Sequence, residues 1–496
     1  MMSAFGGLFI GTSAVHAAQR GLDVTGQNIA NSATEGYTRQ RVNLEAVGGP
    51  GVPAFWSRYD GTGEGVKVTS VTRMTDEFLE ARARNSNAAL GKLEEQQKTM
   101  AALERTVGEP SDTGLQKKLQ EMWNAMGAAG NSPSVTNEAP RSEALERAKG
   151  VASQLNLISN STTTQWHDTT VELQANVTDI NKMAEDVGKL NAAIRNNDIA
   201  HVPSNELLDQ RDVLIKKLST LTGATVRPAA MDANSDFRSQ AVDVMIGDKA
   251  LVYGTQAAQL KVNDPNNGTY PTDGSAPKPI AVQWASPAPT DPNGPAASAD
   301  VGIDTGRVAG QLTNLNITIP NYMKQFDQVA ATVAATVNTQ QAAGYTVNGA
   351  TGANLFVNGA GGGAITAGNI RVASDAVPNS IAVSAGNPKD SDPAKASLDG
   401  NNALAMSRHI NDKGGADATY SAMIVQMGVE TQSVNRNVTV QQNVVRQAED
   451  ARDNVAGVSL NEEMTNLVRY QHSFSAAAKF IGVIDETLQT LIHMTN

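Results

Sequence analysis

Apolar positions recur at coiled-coil spacing at both ends of the chain. Leu460, Leu467, Phe474, Ile481 and Leu488 fall every seven residues, and Tyr470, Ala477, Ile484 and Leu491 follow the last four of these by three. Intervals that alternate three and four put side chains on one face of a helix and predict a seam. At the other end Leu8, Val15, Leu22 and Ile29 also repeat every seven. The two stripes predict terminal helices that pair with each other and close a rod by its own ends. Gly11, Gly21 and Gly26 lie inside the first of these helices, expected over residues 3–30. Each costs about 1 kcal/mol relative to Ala, so the helix alone is expected to be poorly ordered until something packs on it. The same glycines admit a close neighbour.

Between the ends the period changes. Residues 37–44 and 66–71 alternate as short strands, separated by turns at Gly48–Gly51 and Gly61–Gly65. Helical spacing then covers 76–107, stopped by Gly108 and Pro110, a second piece near 113–127, and a long run from Pro140 to about Asn197. The Ser161–Thr164 run is the expected place for that run to break. A helix over 205–219 follows. Strand-like segments 241–246 and 250–253, between Asn/Asp/Pro/Gly loops, mark a change of character after Gly223. Helix returns over 310–338, a strand with a loop over 370–381, and helix again from Asn401.

The expected fold is mostly α with a β insert. Residues 1–35 and 455–496 form the terminal coiled-coil domain. Residues 36–222, with 311–345 and 401–454, form a helical rod, and 224–310 with 346–400 form a β-rich insert facing outward.

Charge and composition narrow the function. The chain has 39 basic and 50 acidic residues, a net charge of -11, no basic cluster and no cysteine. Nucleic acid and anionic membrane are therefore poor partners, and disulfides and thiol chemistry are excluded. No apolar run approaches the roughly 18 residues of a membrane span. Phe5–Ile10 and Ala14–Ala17 mimic a cleaved leader, but no Lys or Arg precedes them. The stretch reads as a helix start, so export would need a route without a cleaved signal.

The six histidines form no metal or triad spacing, and no Walker loop or G-x-S-x-G elbow occurs. Asp264-x-Asn266-x-Gly268 lacks the Glu a calcium loop needs at position twelve, where Ser275 stands. Asp209, Arg211 and Asp212 could pass for an acid–base cluster, but Leu208, Arg211 and Ile215 follow helical spacing. The Glu462–Glu463 pair reads as a solvated helix face. No catalytic residue, metal or cofactor is expected, and the chain reads as a structural subunit, not an enzyme.

Two spaced strings carry a family resemblance. Asn28, Ala30 and Asn31, followed by Thr34, Gly36, Tyr37 and Arg39, and then Gly63-Glu-Gly65-Val-Lys-Val68 with Val71, Arg73, Asp76, Phe78 and Leu79, resemble the signature of bacterial flagellar rod, hook and hook-associated axial proteins. Leu208, Asp209, Gln210, Arg211 and Asp212 resemble the hook–filament junction branch of that family. The resemblance implies a ring of copies between hook and filament, touching the hook protein and a second junction protein. It also implies export unfolded through the flagellar type III apparatus, with a cytoplasmic chaperone on the C-terminal helix beforehand. The expected location is the extracellular flagellum, and the cytoplasm before export. Two alternatives stand beside it: another axial protein of the hook or rod, and an unrelated secreted coiled-coil surface protein or hydrolase.

Overall fold

A computed structural model describes residues 4–48, 63–229, 239–288 and 291–495. The expected Gly48–Gly51 and Gly61–Gly65 turns fall largely outside the described residues, as does the side chain of Leu491. The chain starts with helix α1 (Ala4–Ala30) and an antiparallel hairpin, β1 (Gln40–Val47) and β2 (Gly65–Arg73), whose register shifts at Asn43/Leu44. Helices α2 (Glu77–Val107), α3 (Leu115–Asn131), α4 (Ala139–Ile199) and α5 (Asn205–Thr222) follow.

Local chemistry sets their ends. The Asp76 carboxylate accepts from the amides of Phe78 and Leu79 at the start of α2, and Gly108 closes it in the left-handed region with φ 63°. Gly223 ends α5 the same way with φ 71°. A Cβ there would lie 2.2 Å from Thr305 Cγ2, so glycine is required twice over.

The break expected in the long helix does not occur. Helix α4 runs unbroken for 61 residues, about 90 Å at 1.5 Å per residue. The Thr162 hydroxyl donates to Ile158 O, and those of Thr163 and Thr164 to Asn160 O. These hydroxyls are absorbed within the helix and leave its backbone ladder intact.

The β-rich part is a set of small sheets. Strands β3 (Thr225–Pro228), β4 (Val242–Ile246), β5 (Lys249–Tyr253) and β6 (Gln256–Ala257) form one antiparallel sheet in that order, and β7 (Gln259–Asn263) pairs with β8 (Ala281–Ser286). The expected helix over 310–338 is split in two. Helix α6 (Gly306–Thr313) passes through a π-turn at Asn314–Thr318 into α7 (Ile319–Ala342). Indole Nε1 of Trp166 donates to Leu315 O at 3.0 Å inside that π-turn. A wide turn of this kind frees a carbonyl for an outside donor.

Beyond it, β9 (Tyr345–Thr346), β10 (Phe356–Asn358), β11 (Ile370–Val372) and β12 (Ala382–Ser384) form two short pairs, β9 with β12 and β10 with β11. Helices α8 (Asn401–Arg408), α9 (Ala416–Ala456) and α10 (Leu460–Thr495) complete the chain. One continuous buried cluster joins helices to sheets, with Trp123, Trp166, Trp284, Phe326 and Phe356 at its centre.

Asparagines fasten the sheets to the helices. Asn181 on α4 donates to Leu260 O and accepts from Leu260 N, both at 2.8 Å. Asn316 holds Ile280 through the same two bonds, and Asn338 on α7 holds Phe356. Asn191 on α4 holds Val242 likewise, with a longer return bond of 3.4 Å. Each carboxamide meets both backbone groups of one residue, as a neighbouring strand would. This satisfies groups that a short buried strand would otherwise leave orphaned.

Candidate assembly site: the terminal helix pair and its polar clasp

Helices α1 and α10 lie antiparallel along each other. The line of close approach runs through Gly7 against Ile484, Gly11 against Ile481 and Gly21 against Tyr470. A Cβ on Gly11 would sit 2.6 Å from Ile481 Cγ1, and one on Gly21 would sit 2.6 Å from the Tyr470 ring. Bulky side chains of α10 thus rest directly on the backbone of α1. Gly26 has nothing within 4 Å of where its Cβ would be.

Of the expected seam residues on α10, Leu467, Ile481 and Leu488 turn partly inward beside the buried Ala477. Leu460 is 52% exposed and Phe474 37% exposed, so the periodicity places these two further inward than they lie. On α1 the expected stripe is one position off. Leu8, Val15, Leu22 and Ile29 are only half-buried; Gly7, Gly11, Ala18, Gly21, Thr25 and Asn28 form a buried line of mostly small residues, with Ala17 and Val24 buried beside it. The physical reason is size: a helix that receives isoleucine and tyrosine at its backbone must be small where they land. Hydrophobic periodicity finds bulky residues and so reads the flank.

The hairpin β1–β2 covers another side of α1. Val66 N donates to Ser13 Oγ at 3.2 Å, and Gly65, at φ +109°, passes so close that a Cβ would lie 2.3 Å from that oxygen.

Where the pair meets the body, a polar clasp forms around Asn28. Its Nδ2 donates to Gln40 O at 2.9 Å and to Glu463 Oε2 at 3.1 Å. Its Oδ1 accepts from Tyr37 OH at 2.9 Å and from Gln40 N at 3.0 Å. All four hydrogen-bonding positions of the carboxamide are used. Arg39 Nε reaches Glu463 Oε1 at 2.8 Å, its Nη1 pairs with Glu462, and its own amide donates to Ala456 O. The clasp thereby ties α1, β1 and α10 to the end of α9.

Glu463, read from the sequence as part of a solvated face, is 1% exposed. Its partners lie more than 400 residues away in the chain, so no local pattern announces it. Burial pushes the Tyr37 phenol up to about 12, reinforced by Asp209, Glu206 and Glu463.

The loop into the clasp explains the signature string. Thr34 N donates to Asn31 O, Thr34 Oγ1 to Asn31 Oδ1, and Tyr37 N to Thr34 O, which folds the chain back from exposed Ala30. Gly36 has φ +79°, and a Cβ there would meet Val213 Cγ2.

A second layer anchors this loop to α5. Arg73 Nε lies 2.8 Å from Asp209 Oδ1 and its Nη2 lies 2.7 Å from Asp212 Oδ2, while Asp209 Oδ2 accepts from Thr38 N. Arg211 donates to Gln240 O at 2.6 Å and flanks Asp212. Burial raises the Asp209 carboxyl, with Arg73 opposing it, and burial lowers the Arg211 guanidinium. Leu208 is buried and Gln210 is exposed. Asn205 bridges Gln40 Oε1 and Val71 O. The carboxylates here are engaged with arginine and backbone amides. Among the described residues no group of three or more His, Cys, Asp or Glu could hold a metal ion, and no helix is long and apolar enough to cross a membrane.

The chain is a body of long helices whose two chain ends pair with each other, and comparison with known proteins gives its class. Residues 8–38 match the flagella basal body rod protein model, and 437–494 match the C-terminal model of the flagellar basal body rod FlgEFG proteins, which makes this a flagellar axial component. The middle is more particular: residues 100–356, just over half of the chain, match the helical domain of flagellar hook-associated protein FlgK, and the chain belongs to that family.

It is 28% identical to the flagellar hook-associated protein 1 of Bacillus subtilis (strain 168) over 99% of both chains. It is 21% identical to that of Salmonella typhimurium over 97% of this chain and 98% of the relative. The fold is similar to the solved flagellar hook junction protein FlgK from Burkholderia pseudomallei. The TM-score is 0.61 at 16% identity, covering 75% of this chain and 99% of that one.

Proposed function

We propose that this chain forms the junction between hook and filament, as a ring of copies that the hook protein contacts on one side and a second junction protein on the other. The observation that carries the reading is the FlgK match over residues 100–356, in a chain whose two ends also match rod-protein models. Rod-type ends supply a common way of joining an axial structure, and the distinct middle supplies the place in it.

Export through the flagellar type III apparatus follows from the same reading. The terminal helices bury little against the body except through the hairpin and the clasp, so they are the parts a cytoplasmic chaperone would cover before export. The α10 helix, with Met464, Val468, Phe480 and Val483 exposed, is the surface it would hold. The location in this reading is the extracellular flagellum. The terminal pair as a whole is proposed as the part that joins neighbours, held together on its inner side by Leu467, Ile481 and Leu488 of α10 and flanked by the Leu8–Ile29 stripe of α1.

The test is complementation. In cells lacking their own junction protein, this chain should restore filament attachment to hooks. Hooks that stay bare while the chain is exported and folded would contradict the reading.

A further inference from the structure

Beside the clasp lies a groove of about 590 Å³ between α1, β1 and α10. Val24, Val42, Leu44 and Tyr470 make its apolar lining, and Arg41 and Arg469 stand at its rim. Both arginines are exposed, and neither forms an ion pair among the described residues; Arg469 lies over the ring of Tyr470 at 5.1 Å. An open groove with two uncompensated guanidiniums is unusual in a chain of net charge -11. Its chemistry asks for an apolar segment that carries carboxylates.

The far tip of the same helix pair has that chemistry. Residues 4–19 contain no Asp, Glu, Lys or Arg, and between Phe480 and Asn496 the only such residues are Asp485 and Glu486. Both acids are exposed, and Phe9, Phe480 and Val483 are exposed around them. From Arg469 to Asp485 the helix extends about 24 Å at 1.5 Å per residue. The tip and the groove are therefore separate places on one molecule, and a single copy cannot bring them together.

We propose that the acidic, apolar tip of one copy docks in the Arg41/Arg469 groove of a second copy. The contact is head-to-tail, so it propagates from copy to copy and is not limited to a dimer. It deepens the junction reading above by naming the surface each copy offers the next.

The absence of cysteine allows a direct test. One preparation of the full chain carries Leu44→Cys and another carries Val483→Cys. They are mixed under mild oxidation, once as concentrated protein and once with isolated hooks. The expected result is a disulfide heterodimer in at least one mixture. Arg41→Glu with Arg469→Glu on the Leu44→Cys chain should lower its yield about tenfold, since both charge contacts become repulsive. Asp485→Arg with Glu486→Arg on the other chain should restore it. No heterodimer in either mixture, or a yield indifferent to the charge reversals, overturns the contact. Chains that load onto hooks without cross-linking sink this contact alone. Chains that cross-link in concentrated solution yet ignore hooks sink the junction reading and leave the contact standing.

Discussion

At the scale of single residues, Asn28 is the position on which the most depends. Replacing it by Ala leaves Tyr37 OH, both backbone groups of Gln40 and one Glu463 oxygen without a partner in a buried place. The cost is expected to be about 3 kcal/mol, several unsatisfied groups being partly relieved by water. Urea unfolding of Asn28→Ala against the parent measures it, and a change within experimental error would show that the clasp is not rigid.

The tyrosines give a pH prediction. Burial raises Tyr37 and Tyr270 to about 12, and raises Tyr322 and Tyr420 further, Tyr322 also because it donates to Glu430 at 2.6 Å. A raised folded value means stability that is complete below the unfolded value of about 10 and is lost as pH climbs through the folded one. Spectrophotometric titration should show four of the eight tyrosines holding their protons past pH 11 until unfolding releases them. Eight phenols titrating together near 10 in folded protein would contradict the buried geometry. From the sequence, Asn28, Tyr37 and Arg39 stood out through a resemblance, with no role attached. Glu463, Gln40 and Asn205 gave no signal, because a buried polar group is recognised by partners that only folding brings near.

At the scale of elements, glycine decides how α1 meets α10. Gly21 and Gly26 are both mid-helix, and both look equally costly in the sequence. Their surroundings differ: a Cβ on Gly21 meets three atoms of the Tyr470 ring within 2.7 Å, and one on Gly26 meets nothing within 4 Å. Gly26→Ala should therefore stabilise the helix by about 1 kcal/mol. Gly21→Ala should weaken the pairing despite the same gain in propensity, because the ring must leave its seat. Circular dichroism melting of the two variants checks the opposite signs, and a Gly21→Ala chain that melts later than the parent would count against close approach at that point.

The helices and the hairpin were legible as periods of 3.6 and 2. The uninterrupted α4 was not, since side-chain hydroxyls that often end a helix are here satisfied inside it. Nor was the π-turn at Asn314–Thr318, which leaves hydrophobic periodicity nearly unchanged. The seam on α1 was read one residue too far along because its working residues are small.

At the scale of the whole molecule, a helical body with small sheets fastened to its flank carries a terminal pair that is secured at the clasp and along the hairpin. Away from these the two helices depend on each other and on whatever they join. In dilute solution protease should cut first within residues 4–15 and 480–495, and hook ends should protect both. Equal resistance of tip and body in the dilute chain would contradict this division.

The central claim is that the terminal pair joins the chain to its axial neighbours while the body folds without it. Ile481→Asp tests it most directly, since the side chain rests on Gly11 at the heart of the pair. The measurement is the number of filaments attached to hooks in cells whose junction protein is this variant, with the melting of the purified chain recorded beside it. The account predicts that the body's own transition stays at the parent's temperature while the helical signal of the terminal pair is lost, and that hooks remain bare. Filaments attached in normal number would contradict it.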